Sequence, residues 1–335
     1  MKVICSDNTY STTRLLSTGI PPVVAGDVPG NPQSRPGKSE GGLRTRGYFK
    51  NHFEKHLDAW YACNSSGDRL YSVSLPVDMA RTHVPIVTVI TVVYNGVANV
   101  EETIKSVLNQ SYPNVEYIIV DGGSTDGTLE VIKKFDHAVD YWISEPDGGI
   151  YDAMNKGVEL STGRWLNILN VGDVLNGTDA FNGCGFDDES VVIYYSDTIL
   201  LKNNGYSIEN ADLKKKRFVH QSFIYHKRLH KLYGKYLCLP GVTISDYLFF
   251  SRIWKDSNSI KLDNPISVFR CGGISSGDSH VYQRMAVDIM CGNVSAFVGA
   301  LRIIAFPFYR FMYVYLIKPC KSLRKKILDF SQVFS

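Results

Sequence analysis

The pattern of apolar and polar positions changes character at Pro85. Before it no period is sustained, and residues 19–47 concentrate Pro, Gly, Ser and Arg as loops do. Residues 1–84 are therefore expected to form an irregular N-terminal extension. Within it Phe49, Phe53, His56, Leu57 and Trp60 are spaced for one short helix over 48–63. Beyond Pro85, residues 86–94 are a nearly unbroken β-branched run that stops at Asn95-Gly96, the pattern of a strand buried on both faces of a parallel sheet. Val100, Ile104, Val107 and Leu108 then recur at helical spacing over 99–111, with Asn99 and Glu102 as a candidate capping pair.

The alternation continues with strands expected over 115–120, 140–144, 165–169 and 191–195. One helix is expected over 128–135, and a second is striped by Ile150, Ala153, Met154, Gly157 and Val158. Repeated βα units with short connections predict a right-handed, doubly wound α/β sheet. After Asp197 the pattern loosens, with a basic run from Lys214 to Arg217 and a helix opening near Ser245-Asp246 and running on to Trp254. Residues 289–317 are rich in Phe, Tyr, Ile, Val and Ala, but Arg302, Pro307 and Arg310 interrupt them, which argues against a membrane span. Arg302 and Arg310 can share one polar edge of a largely apolar helix, and Lys318, Lys321, Arg324, Lys325 and Lys326 follow as a polybasic tail. That combination suits the surface of an anionic bilayer, with a helical hairpin packed on the core as its alternative.

The composition narrows the classes. A chain of 335 residues with 44% apolar residues can bury a substantial core, so disorder throughout is excluded. A net charge of +3 is too small for a dedicated nucleic-acid binder. The seven cysteines form no C-x-x-C pair and their odd number cannot be fully paired within the chain, as expected in a reducing cytoplasm. The apolar stretch at the start ends by Asp7, too early for a signal peptide, so no export is expected.

In an open parallel sheet, ligands bind beyond the carboxyl ends of the strands. There the sequence places Asn95, Asp121, Glu145 with Asp147, Asp173 and Asp197 after successive strands. A single acid after a strand is ordinary turn chemistry. Several on one rim repel one another unless a cation or donor groups offset them, and oxygen-only ligands favour Mg2+ or Mn2+. Neither the G-x-G-x-x-G dinucleotide fingerprint nor a P-loop is present.

Four stretches carry a resemblance: Val-Thr-Val-Ile-Thr-Val-Val-Tyr-Asn-Gly ending at Gly96, Tyr-Ile-Ile-Val-Asp-Gly-Gly-Ser-Thr-Asp-Gly-Thr ending at Thr128, Ser-Glu-Pro-Asp-Gly-Gly-Ile-Tyr-Asp-Ala-Met-Asn-Lys-Gly ending at Gly157, and Asn170-Val-Gly-Asp173. They resemble the family 2 glycosyltransferases of the GT-A fold, over residues 85–175, with a thinner likeness as far as about 275 at His220-Gln221-Ser222-Phe223 and Ser245-Asp246-Tyr247. The stretch from Gly41 to Gly47 resembles segments that precede the transferase domain in some bacterial surface-polysaccharide enzymes.

The resemblance implies transfer of one sugar, with inversion, from a nucleotide diphosphate sugar, a UDP-sugar first among them, to an acceptor hydroxyl. A lipid-linked oligosaccharide of O-antigen, capsule or exopolysaccharide synthesis is the expected acceptor. It divides the chain into a GT-A-like domain over 85–280, with a nucleotide-sugar half (85–200) and an acceptor half (201–280), and an apolar helical and polybasic tail over 281–335. By the same likeness Asp173 holds Mn2+ or Mg2+ against the donor, and Gly172 stands where many members carry another Asp. Asn95, Asp121, Asp147, Asp152, Asn155, Lys156 and His220 are the expected donor-binding residues, and Asp246 the catalytic base.

Each of these residues also has a local alternative: turn or helix capping for the acids, a solvated face for Lys156, a satisfied core position for His220. The expected location is the cytoplasmic face of the inner membrane, peripherally bound. An inactive carbohydrate-binding or scaffolding relative, or a nucleotidyltransferase on a similar sheet, stands as the alternative. The absence of Q-x-x-R-W and of membrane spans favours single-sugar addition over processive synthesis.

Overall fold

The computed structural model describes residues 2–4, 10–18, 37–63, 68–73, 83–186, 188, 190–202, 205–253, 258–272 and 278–312. At its centre is an eight-stranded sheet. In order across it lie Ser259–Lys261, Ile193–Tyr195, Phe223–His226, Trp165–Ile168, Val87–Val93, Val115–Asp121, Tyr141–Ser144 and Ser39–Gly41. The four strands from Trp165–Ile168 to Tyr141–Ser144 are mutually parallel, while Ser39–Gly41 and Phe223–His226 join antiparallel on either side of them. Across the sheet in that direction those four are fourth, first, second and third in chain order. The order therefore reverses between Val87–Val93 and Trp165–Ile168, and a crevice opens there beyond the strand ends.

Both faces of the sheet are covered, which is why its strands read as continuous apolar runs. Val87, Val89, Tyr117 and Ile119 join one core with Val100, Ile104 and Ile132. Ile90, Val92, Ile118 and Val120 join the other with Tyr151, Met154 and Val158. The helices are α1 (Val100–Leu108), α2 (Thr128–Lys134), α3 (Ile150–Leu160), α4 (Arg228–Tyr233), α5 (Ser245–Ile253), α6 (Asp278–Met290) and α7 (Ala296–Met312). Gly157 lets α3 lie directly on the sheet, because a Cβ there would be 2.3 Å from Ile90 Cγ2.

Two local expectations change. The helix expected over 48–63 is instead a hairpin of His52–His56 and Ala59–Cys63, part of a four-stranded sheet with Arg69–Val73 and His83–Val84. Leu57, assigned to the apolar stripe, sits in the turn with φ 55° and is 83% exposed, while Phe53 and Trp60 are buried. The Asn99–Glu102 capping pair does not form: Asn99 makes no side-chain cap bond, and Glu102 pairs with Arg270.

The N-terminal segment is anchored through charge as well as strands. The carboxylate of Glu116, buried in the sheet, pairs with Arg44 and accepts hydrogen bonds from Thr88 Oγ1 (2.6 Å), Thr162 N (2.8 Å) and Thr162 Oγ1. Burial pushes this carboxyl up, but the Arg44 charge and those three bonds override it and hold the group near 2. Arg46 pairs with Asp136, whose Oδ1 also accepts from Gly42 N and Trp142 Nε1.

Candidate active site

At the point where the strand order reverses lies a cavity of about 910 Å3, lined by Val92 to Tyr94, Gly122, Gly123, Pro146, Asp147, Asn170 to Asp173 and Phe269 to Gly272 among others. A smaller cavity of about 200 Å3 adjoins it, lined by Tyr151, His220, Gln221, Thr243, Asp246, Tyr247, His280 and Arg284 among others. Ile150, Asn170 and Phe269 line both, so the two form one connected cleft.

Asp173 stands at the junction of the central sheet with the small sheet that contains Ser267–Arg270. Its Oδ1 accepts from Arg270 N (2.9 Å) and its Oδ2 from Gln221 Nε2 (2.7 Å). Burial is the larger influence on this carboxyl and pushes it up to about 6. Gly172, beside it, has φ 94°, a conformation a side chain strains. Among the described residues no group of three His, Cys, Asp or Glu could enclose a metal ion. One buried carboxylate does suit an ion that takes its remaining ligands from phosphate oxygens and water, as Mg2+ commonly does.

Asp147 also lines the larger cavity. Its Oδ1 accepts from Gly149 N (2.8 Å), and burial raises its carboxyl. Asp152, in the first turn of α3, accepts from Gly148 N at 2.9 Å and so fixes the glycine turn that leads into the helix. Lys156 pairs with Glu145 at 2.6 Å. Asn155 is buried: its Nδ2 donates to Tyr236 O (2.9 Å) and Cys238 Sγ, and its Oδ1 accepts from Tyr236 N (2.9 Å).

Asp121 is fully buried at its strand end and accepts from Ser124 N (3.1 Å), Ser124 Oγ and Ser144 Oγ (2.6 Å). Asn95, exposed and with φ 50°, holds the same loop by accepting from Thr125 N at 3.0 Å. Neither lines the cleft, whereas Tyr94, Gly122 and Gly123 beside them do. Asp197, the last acid of the predicted rim, accepts from Ala211 N and pairs with Lys261. In the basic run, Lys216 is buried and Arg217 faces Glu209 at 3.8 Å, with Lys214 and Lys215 exposed.

The smaller cavity brings together residues from three elements. Asp246, in the first turn of α5, accepts from Tyr151 OH on α3 (2.7 Å), and its Oδ2 lies 2.7 Å from His220 Nδ1. Burial works to raise the Asp246 carboxyl. The His220 charge and the hydrogen bonds from His220 and Tyr151 outweigh it and hold the group below the usual carboxylate range. Burial and the same carboxylate keep Tyr151 protonated. Asn170 Oδ1 and His220 Nε2 are buried with no hydrogen-bond partner among the described residues.

Sequence reasoning did not single out Tyr151, Gln221 or Arg270 for these contacts. Tyr151 and Gln221 lay inside the quoted motifs, so their neighbours were the available signal. Arg270 had none, since its partners lie 97 and 168 positions away.

Residues 88–177 match the family model described as Glycosyl transferase family 2. An uncharacterized glycosyltransferase of Mycobacterium tuberculosis is 40% identical over 99 residues, covering 29% of this chain and 38% of that protein. A PGL/p-HBAD biosynthesis glycosyltransferase of Mycobacterium bovis is 31% identical over 166 residues, covering 45% and 63%. The chain thus spans less than two thirds of the length of these relatives. The crystal structure of S. aureus TarS 1-349 in complex with UDP-GlcNAc superposes with TM-score 0.52 at 17% identity, over 68% of this chain and 73% of that one. The likeness to family 2 glycosyltransferases thus lies in residues 88–177, and the fold is GT-A.

Proposed function

We propose that this GT-A domain moves one sugar, with inversion, from a nucleotide diphosphate sugar to an acceptor hydroxyl in the assembly of a bacterial surface polysaccharide. The carrying observation is that Asp246, both its oxygens fixed by Tyr151 and His220, lies on a cavity continuous with the larger one at the strand ends. The larger cavity, lined mostly from the half over 85–200, takes the donor; the smaller, lined mostly from residues beyond 200, takes the acceptor. TarS, of the same fold, is recorded with UDP-GlcNAc, which supports a UDP-sugar as donor.

In this reading the acceptor oxygen attacks the anomeric carbon from the face opposite the diphosphate. The bond from that carbon to the diphosphate breaks, and its electron pair stays on the phosphate oxygen. The acceptor proton passes to a free lone pair of Asp246, kept ionised for the purpose. Asp147 meets the donor and Asn170 Oδ1 accepts from one of its hydroxyls. Asn95, Asp121, Asp152 and Lys156 act by fixing the loops that bear the donor, Asn155 by pinning residues 236–238, and His220 by orienting Asp246. Asp173 would hold Mg2+ or Mn2+, and the bound ion would offset the charge that the leaving diphosphate gains.

The acceptor is lipid-linked. No helix among the described residues is long and apolar enough to cross a membrane. Yet α7 exposes Phe297 and Ile304 at 74% each and Phe308 at 70%, and packs through Phe306 on Tyr282 of α6, the helix that brings His280 and Arg284 to the acceptor cavity. Lys318, Lys321, Arg324, Lys325 and Lys326, the basic residues that follow, lie outside the described residues. Peripheral docking of this face on the cytoplasmic side of the inner membrane would present the smaller cavity to a lipid headgroup.

Asp246→Asn tests the reading. Turnover is lost while UDP binding, followed by calorimetry, is retained; wild-type turnover in this variant would refute the assignment.

A further inference from the structure

Arg270 is the one cation lining the larger cavity among the described residues, and two acids, Asp147 and Asp173, line it as well. A nucleoside diphosphate entering a cleft lined by two carboxylates needs a countercharge from the chain. Arg270 ends the strand Ser267–Arg270, and its backbone N donates to Asp173 Oδ1 at 2.9 Å. Its Nε donates to the carbonyl of Gly172 at 3.2 Å, and one terminal nitrogen pairs with Glu102 Oε2 on α1 at 2.9 Å. A guanidinium has five N–H donors. Two are used in this way, and three have no protein acceptor among the described residues.

The geometry points to Arg270 as the anchor for the donor's diphosphate, with Glu102 as the positioning residue that holds its guanidinium at the lip of the cleft. The planar fork of N–H groups matches paired phosphate oxygens. Gly172 belongs to the same arrangement. A Cβ there would lie 4.0 Å from Arg270 Cδ and 3.9 Å from Asn99 Cβ, so a carboxylate at this position would stand against the arginine and compete for its donors. The missing second acid and the arginine are two sides of one solution, in which the chain itself carries part of the charge that a more heavily coordinated ion would carry. The inference rests on the nucleotide-sugar reading above.

Calorimetric titration of the full chain with UDP and with uridine, each with Mn2+ and with EDTA, tests it, with GDP and guanosine run in parallel. Arg270→Gln is expected to weaken UDP at least tenfold in both conditions while leaving uridine affinity unchanged, with Arg270→Lys intermediate. Unchanged UDP affinity in Arg270→Gln overturns the anchor alone. An equal loss of UDP and uridine affinity also overturns it, because a general distortion of the cleft then explains the effect. A wild-type chain that binds no nucleotide of either base overturns the parent reading and the anchor with it.

Discussion

Glu116→Gln removes the charge that ties the N-terminal segment to the sheet while keeping the shape of the side chain. The buried carboxyl is held near 2 instead of its ordinary 4.5, because the Arg44 charge and hydrogen bonds from Thr162 and Thr88 outweigh the cost of its burial. A depression of that size stabilises the folded state by about 3 kcal/mol at neutral pH. A group with a lowered folded-state value contributes fully above its unfolded value, so this contribution is present above about 4.5 and is lost as the pH falls towards 2. Glutamine also strands the Arg44 guanidinium, whose side chain is 7% exposed, and a buried charge without its partner costs several kcal/mol. Urea unfolding at pH 7 is expected to show Glu116→Gln destabilised by about 3 kcal/mol or more, with a shallower loss of stability between pH 4.5 and pH 3 than the wild type. An unchanged midpoint at pH 7, or parallel acid limbs, would refute the reasoning.

Gly157→Ala gains about 1 kcal/mol of helix propensity in α3, yet its Cβ would lie 2.3 Å from Ile90 Cγ2 on the central strand. Overpacking of about 1–3 kcal/mol should outweigh the gain, so the thermal midpoint falls; a rise would show that α3 can lift from the sheet. Tyr151→Phe deletes one of the two side-chain donors to Asp246, so the carboxyl titrates at higher pH, and the acid limb of kcat/KM moves up with it. A stationary limb would mean that Tyr151 does not act through Asp246. Replacing Phe297, Ile304 and Phe308 of α7 together by Ser should reduce co-sedimentation with phosphatidylglycerol vesicles and leave the cleft intact. Equal partitioning would end the membrane reading.

The stretch from residue 85 to 175 was legible because its strands are buried on both faces and its helices on one. Unbroken β-branched runs such as Val87–Val93 and the 3.6-residue stripe of α3 therefore carry their own signal. The hairpin at 52–63 was not. Phe49, Phe53, Leu57 and Trp60 fall at helical spacing by accident, and the partners that decide the matter, Arg69–Val73 and His83–Val84, are distant in sequence. Within the cleft, the rule that ligands bind beyond strand ends located Asp147, Asp173 and the glycines around them. It could not separate an acid that faces the cavity from one that holds a loop. Asp121 and Asp173 look alike in sequence, yet Ser124 and Ser144 enclose the first, while the second lines the cavity beside Arg270.

Incubating the purified chain with Mn2+, a lipid-linked acceptor extract and a panel of UDP- and GDP-sugars, with the product's anomeric configuration read by NMR, confronts the account most directly. It predicts that one donor is consumed, that its nucleoside diphosphate appears in step with a new glycoside, and that the configuration is inverted. Folded protein that consumes no donor in the panel, or a product that retains the donor's configuration, would contradict it.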